Sequence, residues 1–107
     1  GQRWLVEVKN VHLVRGPGRA EFPDCVTTLG AEHLAELADA VAEGDGAATV
    51  FVVQRADADS FAVADDIDPG YAAAFRKARD GGVLMLACGC AVTPSGIRAA
   101  RRLPVTA

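Results

Sequence analysis

The stretch Trp4-Leu5-Val6-Glu7-Val8-Lys9-Asn10-Val11-His12-Leu13-Val14 is dense in β-branched and apolar residues, and the turn sequence Gly16-Pro17-Gly18 follows it. This pattern predicts one β-strand. Because side chains alternate along a strand, Glu7 and Lys9 are expected on the face that also carries the apolar side chains of Leu5, Val11 and Leu13. Two opposite charges among apolar neighbours are costly unless they are paired or bind a ligand.

Two interpretations of Glu7 and Lys9 follow from this spacing. In the first, the carboxylate binds Mg²⁺ and the ammonium faces a phosphate or an attacking water. In the second, the two side chains form an ordinary cross-strand or surface ion pair, which is common in proteins and contributes little. Spacing alone leaves both interpretations open.

The composition is that of one globular domain. The chain has 107 residues, of which 50% are hydrophobic and 23% are charged, a balance typical of a folded protein. No apolar run reaches membrane-spanning length, and we expect no signal peptide. The chain opens at Gly1 without Met and almost inside the first strand, so we expect an N-terminal portion to be missing.

The net charge and the cysteine content limit which binding partners and which cellular compartment fit this chain. The net charge of −3 argues against an evenly basic surface that grips nucleic acid through its phosphates alone. Local arginine groups remain, at Arg3, Arg15 and Arg19 and at Arg98, Arg101 and Arg102. The odd set Cys25, Cys88 and Cys90 favours reduced thiols in a cytoplasmic protein, and the spacing of Cys88 and Cys90 is too short for a usual zinc site.

The first half of the chain reads as strand, hairpin and helix. Residues 15–19 form a predicted turn, and residues 20–22 return as a short strand. A helix is expected to run to about Glu43 on an apolar stripe that includes His33. Its N-cap is one of three candidates, Asp24, Thr27 and Thr28.

The second half alternates strands with one more helix. Residues 47–54 are near-continuously apolar, as in a strand covered on both faces. Residues 56–68 are expected to form an acidic loop anchored by Phe61 and Ile67, before a helix with Asp68 as N-cap and Pro69 at its first position. A buried strand at 83–88, a turn at 93–96 and an extended segment at 103–105 complete the chain. The predicted fold class is α/β, a mixed and partly parallel β-sheet flanked by helices.

The order of several short motifs resembles the sugar fermentation stimulation protein A (SfsA) family. The motifs are Val6-Glu7-Val8-Lys9-Asn10-Val11, Phe22-Pro23-Asp24, Thr27 with Gly30 and His33-Leu34, Phe51-Val52-Val53-Gln54-Arg55, Asp68-Pro69 and Leu103-Pro104-Val105. The resemblance implies a restriction-endonuclease-like core related to PD-(D/E)xK nucleases, preceded in the family by an OB-like β-barrel domain that this chain lacks. It also implies DNA binding, nuclease activity on DNA or RNA, and a link to maltose metabolism.

The resemblance assigns roles to individual residues. Glu7 and Lys9 match the E-x-K of the nuclease motif, with Mg²⁺ or Mn²⁺ held by Glu7 and by the carbonyl of Val8. The preceding acidic member of the motif is absent from this chain. Leu29 stands where the family has Arg, and Val63 stands where the Phe-x-Pro of the acidic loop has proline.

Further residues are candidates for lining a nucleic-acid cleft, namely Gln54, Arg55, Asp24, Arg15 and Arg19. For the other motif residues the structural roles are favoured: His33 and Trp4 as core side chains, and Asp65, Asp66 and Asp68 as a solvated loop with an N-cap. Three functions stay open: a metal-dependent nuclease domain, a non-catalytic DNA-binding regulator on the same fold, and a fragment whose partner domain does the binding.

Overall fold

The computed structural model describes residues 3–55, 57–93 and 96–106, and of residues 91–93 and 96–100 it describes the backbone alone. Ten elements follow one another along these ranges. They are β1 (Trp4–Val11), β2 (Leu13–Val14), β3 (Arg19–Phe22), α1 (Thr28–Ala42), β4 (Gly46–Val53), β5 (Ser60–Val63), α2 (Pro69–Asp80), β6 (Leu84–Thr93), β7 (Gly96–Leu103) and β8 (Val105–Thr106).

Two four-stranded sheets share one core. The first sheet has the order β1-β4-β6-β7, in which β1, β4 and β6 are parallel and β7 is antiparallel to β6. The second has the order β2-β3-β5-β8, in which only the β2–β3 pair is antiparallel. The α/β class with mixed sheets and two helices is therefore confirmed, although the single expected sheet is in fact two.

The core lies on one face of the first sheet, against the second sheet and the helices. Phe51 of β4 is fully buried and contacts three other rings: its centroid lies 4.4 Å from that of Phe61, 5.6 Å from Phe22 and 5.9 Å from Phe75. These rings come from β5, β3 and α2, so a single aromatic side chain ties four elements together. Burying rings of this size contributes roughly 2–3 kcal/mol each.

The helix boundaries follow the predicted caps. Thr27 is the N-cap of α1 and its Oγ1 accepts a hydrogen bond from the Gly30 amide at 3.1 Å. Asp68 caps α2, with Pro69 at the first helical position. Gly30 also permits the close approach of the two helices, because a Cβ built there would lie 3.1 Å from the ring of Tyr71.

Several strand predictions were wrong in their extent. The first strand divides at His12, and its last two residues, Leu13 and Val14, pair with β3 in the other sheet. The acidic loop contains a strand, β5, whose Phe61 is the buried anchor that the sequence predicted. The last strand extends to Thr93 and pairs with β7, which the sequence did not predict. Residues 94 and 95 of the predicted turn lie outside the described residues.

The outer face of the first sheet is apolar and exposed. Trp4, Val6 and Val8 of β1 are 52–57% exposed, and Leu84 of β6 is 49% exposed. The expectation that Trp4 belongs to the core is therefore wrong; its ring lies over Gly46, whose missing side chain leaves room for it. Neither helix of the described chain is long and apolar enough to cross a membrane.

Candidate active site on the first strand

The inward face of β1 brings Glu7 and Lys9 together. Lys9 Nζ lies 3.2 Å from Glu7 Oε1, and the two side chains are 17% and 35% exposed for Lys9 and Glu7, respectively. Leu5 and Val11 share this face, as the alternation of the strand predicts. The pair is thus partly desolvated yet reachable from solvent, a setting in which charged groups interact more strongly than on an open surface.

Helix α1 adds His33 to this pair. His33 Nδ1 lies 3.2 Å from Lys9 Nζ and 3.4 Å from Glu7 Oε1, and the His33 side chain is 30% exposed. The core role that the sequence favoured for His33 is therefore incorrect, because the ring contacts two charged groups at the edge of the core. Its position in the helix stripe was visible in the sequence, but the tertiary contact was not.

Two buried hydroxyls lie on the same side of the sheet. Thr49 of β4 is the register partner of Glu7, and its side chain points inward with no exposure. Neither Thr49 Oγ1 nor the Tyr71 hydroxyl has a hydrogen-bond partner in the described part of the chain. Burial, together with the nearby charge of Glu7, raises the pKa of Tyr71. Both hydroxyls therefore keep their hydrogen-bonding capacity for a bound molecule or ion.

The Val8 carbonyl faces the free edge of the sheet. The carbonyls of Arg3 and Val11 accept hydrogen bonds from the amides of Gly46 and Gln54, on the β4 side. Because alternate residues of a strand direct their backbone groups to the same edge, Val8 directs its own groups to the opposite edge. Among the described strands, β1 pairs with β4 alone, so this carbonyl is a possible oxygen ligand.

The oxygen donors fit a hard divalent cation in part. Glu7 offers one carboxylate and Val8 one carbonyl, and Mg²⁺ typically takes one or two carboxylates and fills its other positions with waters and phosphate oxygens. Within residues 3–55, 57–93 and 96–106, no group of three or more His, Cys, Asp or Glu side chains could hold a metal ion. A cation bound here would therefore need oxygens from water, substrate or a further acidic residue.

Gln54 and Arg55 do not join the pair. Gln54 Nε2 donates to Asn10 Oδ1 at 2.9 Å, and the alternation of β1 puts Asn10 on the face opposite Lys9. Arg55 lies beyond the end of β4 and forms two hydrogen bonds to Asp57, at 3.0 and 2.7 Å. These residues mark the carboxyl ends of β1 and β4 rather than the Glu7 side of the sheet.

Arg15 and Arg19 surround a buried carboxylate in the second sheet. Glu21 is 2% exposed; it accepts from Arg15 Nη2 at 2.5 Å and from Arg19 Nε at 3.1 Å. Arg15 also holds Asp66 at 2.6 and 2.7 Å, which lowers the pKa of Asp66 to about 2. Both arginines line an open groove with Gly16, Pro17, Val63 and Asp65.

The remaining acidic residues either lie exposed in a loop or make hydrogen bonds to nearby groups. Asp24 lies exposed in the loop before α1. Asp65 accepts two hydrogen bonds from Arg76, at 2.5 and 3.0 Å. Asp68 accepts from the amides of Thr27 and Tyr71, and these hydrogen bonds lower its pKa. The structural roles favoured for the carboxylates of Asp65 and Asp68 agree with these contacts.

Comparison with known proteins identifies the family. The model of the sugar fermentation stimulation protein RE domain matches residues 1–96. The chain belongs to the SfsA family. Sugar fermentation stimulation protein homologues from Rhodospirillum centenum and Roseobacter denitrificans are 59% and 55% identical to it over 102 and 100 residues.

The match covers this chain but not its relatives. The aligned regions take in 95% and 94% of the chain and only 44% and 43% of those two SfsA homologues. A solved structure of SfsA from Pyrococcus furiosus in complex with Ca²⁺ superposes with a TM-score of 0.88 at 28% identity, and the match covers 97% of this chain and 45% of the archaeal one. The chain thus spans less than half the length of these SfsA proteins.

Proposed function

We propose that this chain is the nuclease-like part of a metal-dependent enzyme that cuts phosphodiester bonds in DNA or RNA. The observation that carries the proposal is the contact of Lys9 Nζ with Glu7 Oε1, 3.2 Å apart on a partly exposed strand face. In the nuclease motif that the resemblance suggests, these are the carboxylate and the lysine that act on the scissile phosphate.

Each residue has a distinct role in this proposal. Glu7 and the Val8 carbonyl hold Mg²⁺ or Mn²⁺. A cation bound there would lower the pKa of a coordinated water and neutralise charge that develops on the phosphate. The Lys9 ammonium orients the attacking water or stabilises that charge. The P. furiosus relative in complex with Ca²⁺ supports a hard divalent cation in the family, and the buried hydroxyls of Thr49 and Tyr71 are further polar groups near Glu7.

We also propose that nucleic acid approaches over Gln54, Arg55, Asp24, Arg15 and Arg19. The arginines already contact carboxylates, so each must exchange an ion pair for a phosphate contact. For the whole protein we propose a cytoplasmic enzyme in which the remaining part of the SfsA fold shares the substrate.

One observation favours the alternative, a non-catalytic DNA-binding regulator linked to sugar metabolism. Among the described residues, Glu7 is the one carboxylate in contact with the Lys9 ammonium, and no group of three or more His, Cys, Asp or Glu side chains there could hold a metal ion. A nuclease fold with an incomplete ligand set would bind nucleic acid without cutting it. The same assay separates the two functions.

The experiment measures cleavage of labelled single- and double-stranded DNA and RNA with Mn²⁺, Mg²⁺ or EDTA. It uses residues 1–107 and, in parallel, the longest product of the gene that encodes them. The variants are Glu7→Gln and Lys9→Met, with Glu36→Gln and Lys77→Met as controls at exposed helix positions. We expect cleavage by the longer protein that requires the metal and falls by at least about 100-fold in both site variants.

The outcomes divide the hypotheses. If cleavage is lost in Glu7→Gln and Lys9→Met but kept in the two control variants, the nuclease function is supported. Retention of DNA that weakens with salt, with no cleavage in any metal, overturns the nuclease and supports the regulator. Calorimetric titration with Ca²⁺ tests the cation separately, since binding should weaken in Glu7→Gln and persist in Glu36→Gln.

A further inference from the structure

His33 is one of three polar side chains that contact one another. Its Nδ1 is 3.2 Å from Lys9 Nζ and 3.4 Å from Glu7 Oε1, while Lys9 Nζ is itself 3.2 Å from the same oxygen. The three atoms therefore form a nearly equilateral triangle. His33 comes from α1 and the other two from β1, so the triangle joins the helix to the site strand.

The chemistry of the three groups limits which of them can donate a hydrogen bond. A lysine ammonium carries three N–H donors and no acceptor, and a carboxylate only accepts. Lys9 Nζ can therefore donate to both neighbours, and its contact with His33 is a hydrogen bond when Nδ1 presents its lone pair. That hydrogen bond requires the tautomer that carries the ring proton on Nε2.

We propose that His33 is a positioning residue that holds the Lys9 ammonium against Glu7. A lysine side chain has four rotatable bonds and loses much rotamer freedom when it is fixed. His33 Nδ1 is a second acceptor beside Glu7 Oε1, and a second hydrogen bond restricts that freedom further. His33 thus keeps the ammonium in one place through a contact that never touches the reacting atoms. The effect of this positioning on catalysis rests on the proposed function; the hydrogen-bond pattern does not.

The first test reads the tautomer directly. The chain has two histidines, and His12 is exposed, so ¹⁵N spectra of the imidazole nitrogens contain two rings that His12→Gln assigns. We expect His33 in its Nε2–H form in the native protein. In Lys9→Met, Nδ1 faces Glu7 alone, so we expect Nδ1 to gain the proton and donate to the carboxylate. A native ring that carries a proton on Nδ1, or a ring that Lys9→Met leaves unchanged, overturns the proposal.

The second test reads catalysis in the longer gene product. His33→Leu removes the acceptor, and His33→Asn returns an amide oxygen close to the place of Nδ1. We expect turnover to fall by about 10- to 100-fold in His33→Leu. In His33→Asn we expect turnover to return most of the way to the native value. In the Lys9→Met background, His33→Leu should cost little more, because the two residues act as one unit.

The controls keep the two proposals separable. His12→Gln should leave turnover unchanged, and thermal unfolding of each variant reports whether it folds. If the asparagine variant is as slow as the leucine variant while both fold, positioning by the acceptor is refuted. If the native protein cuts no substrate, the proposed nuclease function fails, and the tautomer measurement alone decides the role of His33.

Discussion

At the residue scale, Tyr71 is a buried residue whose polar group distinguishes the site from the rest of the core. It is the only tyrosine of the chain, it is 1% exposed, and its hydroxyl has no partner among the described residues. A buried hydroxyl without a partner costs about 1–3 kcal/mol. That cost is tolerable where the group has a use, and Tyr71 lies close enough to Glu7 to feel its charge.

The phenol of Tyr71 should resist ionisation. Burial raises its pKa above the ordinary value of 10.0, and the charges of Glu7 and Asp68 raise it further. A group whose neutral form the fold favours stabilises the native state below its unfolded pKa, and that stability is lost as pH rises above it. Ultraviolet titration of the native chain should therefore show phenolate only well above pH 10, and Glu7→Gln should lower the midpoint. A native midpoint near 10 would contradict the buried, charged surroundings of the ring.

The residues of the site differ in how visible they were in the sequence. Glu7 and Lys9 are two positions apart on one strand, and alternation alone puts them on the same face. His33 is 24 residues from Lys9 in the chain, and only the packing of α1 on the sheet brings the two together. A helix stripe of apolar residues gives no sign that one of its members contacts a charge.

At the scale of elements, one carboxylate joins the two helices. Asp68 Oδ1 accepts from the Tyr71 amide at 3.0 Å and Asp68 Oδ2 accepts from the Thr27 amide at 2.8 Å. The first bond caps α2, and the second fixes the residue that caps α1. The beginnings of both helices are thus held together beside the site, which fixes the place of His33 on α1 relative to β1.

The carboxylate of Asp68 should make the stability of the folded chain depend on pH in the acidic range. The amides of Thr27 and Tyr71 lower its pKa below 3.8, so its contribution is complete above that value and is lost as pH falls through the lower native pKa. Asp68→Asn keeps one acceptor oxygen and Asp68→Ala keeps none. We expect melting temperatures to fall in that order, by about 5 to 10 °C for the alanine variant, with a weaker acid dependence in both.

Denaturant unfolding between pH 2 and pH 7 measures this effect. Asp24→Asn, in the exposed loop before α1, is the matched control and should unfold like the native chain. Equal stability of the asparagine and alanine variants would mean that the oxygen retained by asparagine contributes nothing.

Helices were easier to predict from sequence than strands. Their caps are local: Thr27 before α1, and Asp68 with Pro69 before α2, mark the boundaries within a few residues. Strand β5 is only four residues long and lies in an acidic segment, and its partners β3 and β8 are distant in the chain. Strand β7 reads Gly-Ile-Arg-Ala-Ala-Arg-Arg-Leu, without the β-branched pattern that indicates a strand. No glycine or proline marks the break at His12.

At the scale of the whole molecule, the first sheet is covered on one face and bare on the other. The apolar side chains of Trp4, Val6, Val8 and Leu84 are about half exposed, and β1 presents a free edge among the described strands. Apolar sheet faces with open edges promote association. We expect residues 1–107 alone to self-associate at micromolar concentration.

Val6→Lys should reduce this association without loss of stability, because Val6 points away from the core. Sedimentation velocity measures the association, and fluorescence of Trp4, the single tryptophan, reports the state of the face. Leu5→Lys is the contrasting variant: Leu5 packs against the core, so its replacement should unfold the chain. If the Val6→Lys variant associates as strongly as the native chain, this face is not the surface through which the chains associate.

The pairing of the strands also sets how fast the molecule can assemble. Lys9 pairs with Phe51, Ala20 with Phe61, and Phe61 with Val105. Most of the paired residues in the two sheets therefore come from segments that are remote in the chain. Closing such loops costs entropy before any contact repays it, and chains of this kind fold in roughly milliseconds to seconds rather than microseconds. Stopped-flow refolding should show this slow phase. During synthesis β1 would wait for β4 to emerge before it finds its neighbour, so Glu7 and Lys9 are made well before Thr49 and Phe51 and reach their working arrangement only after them.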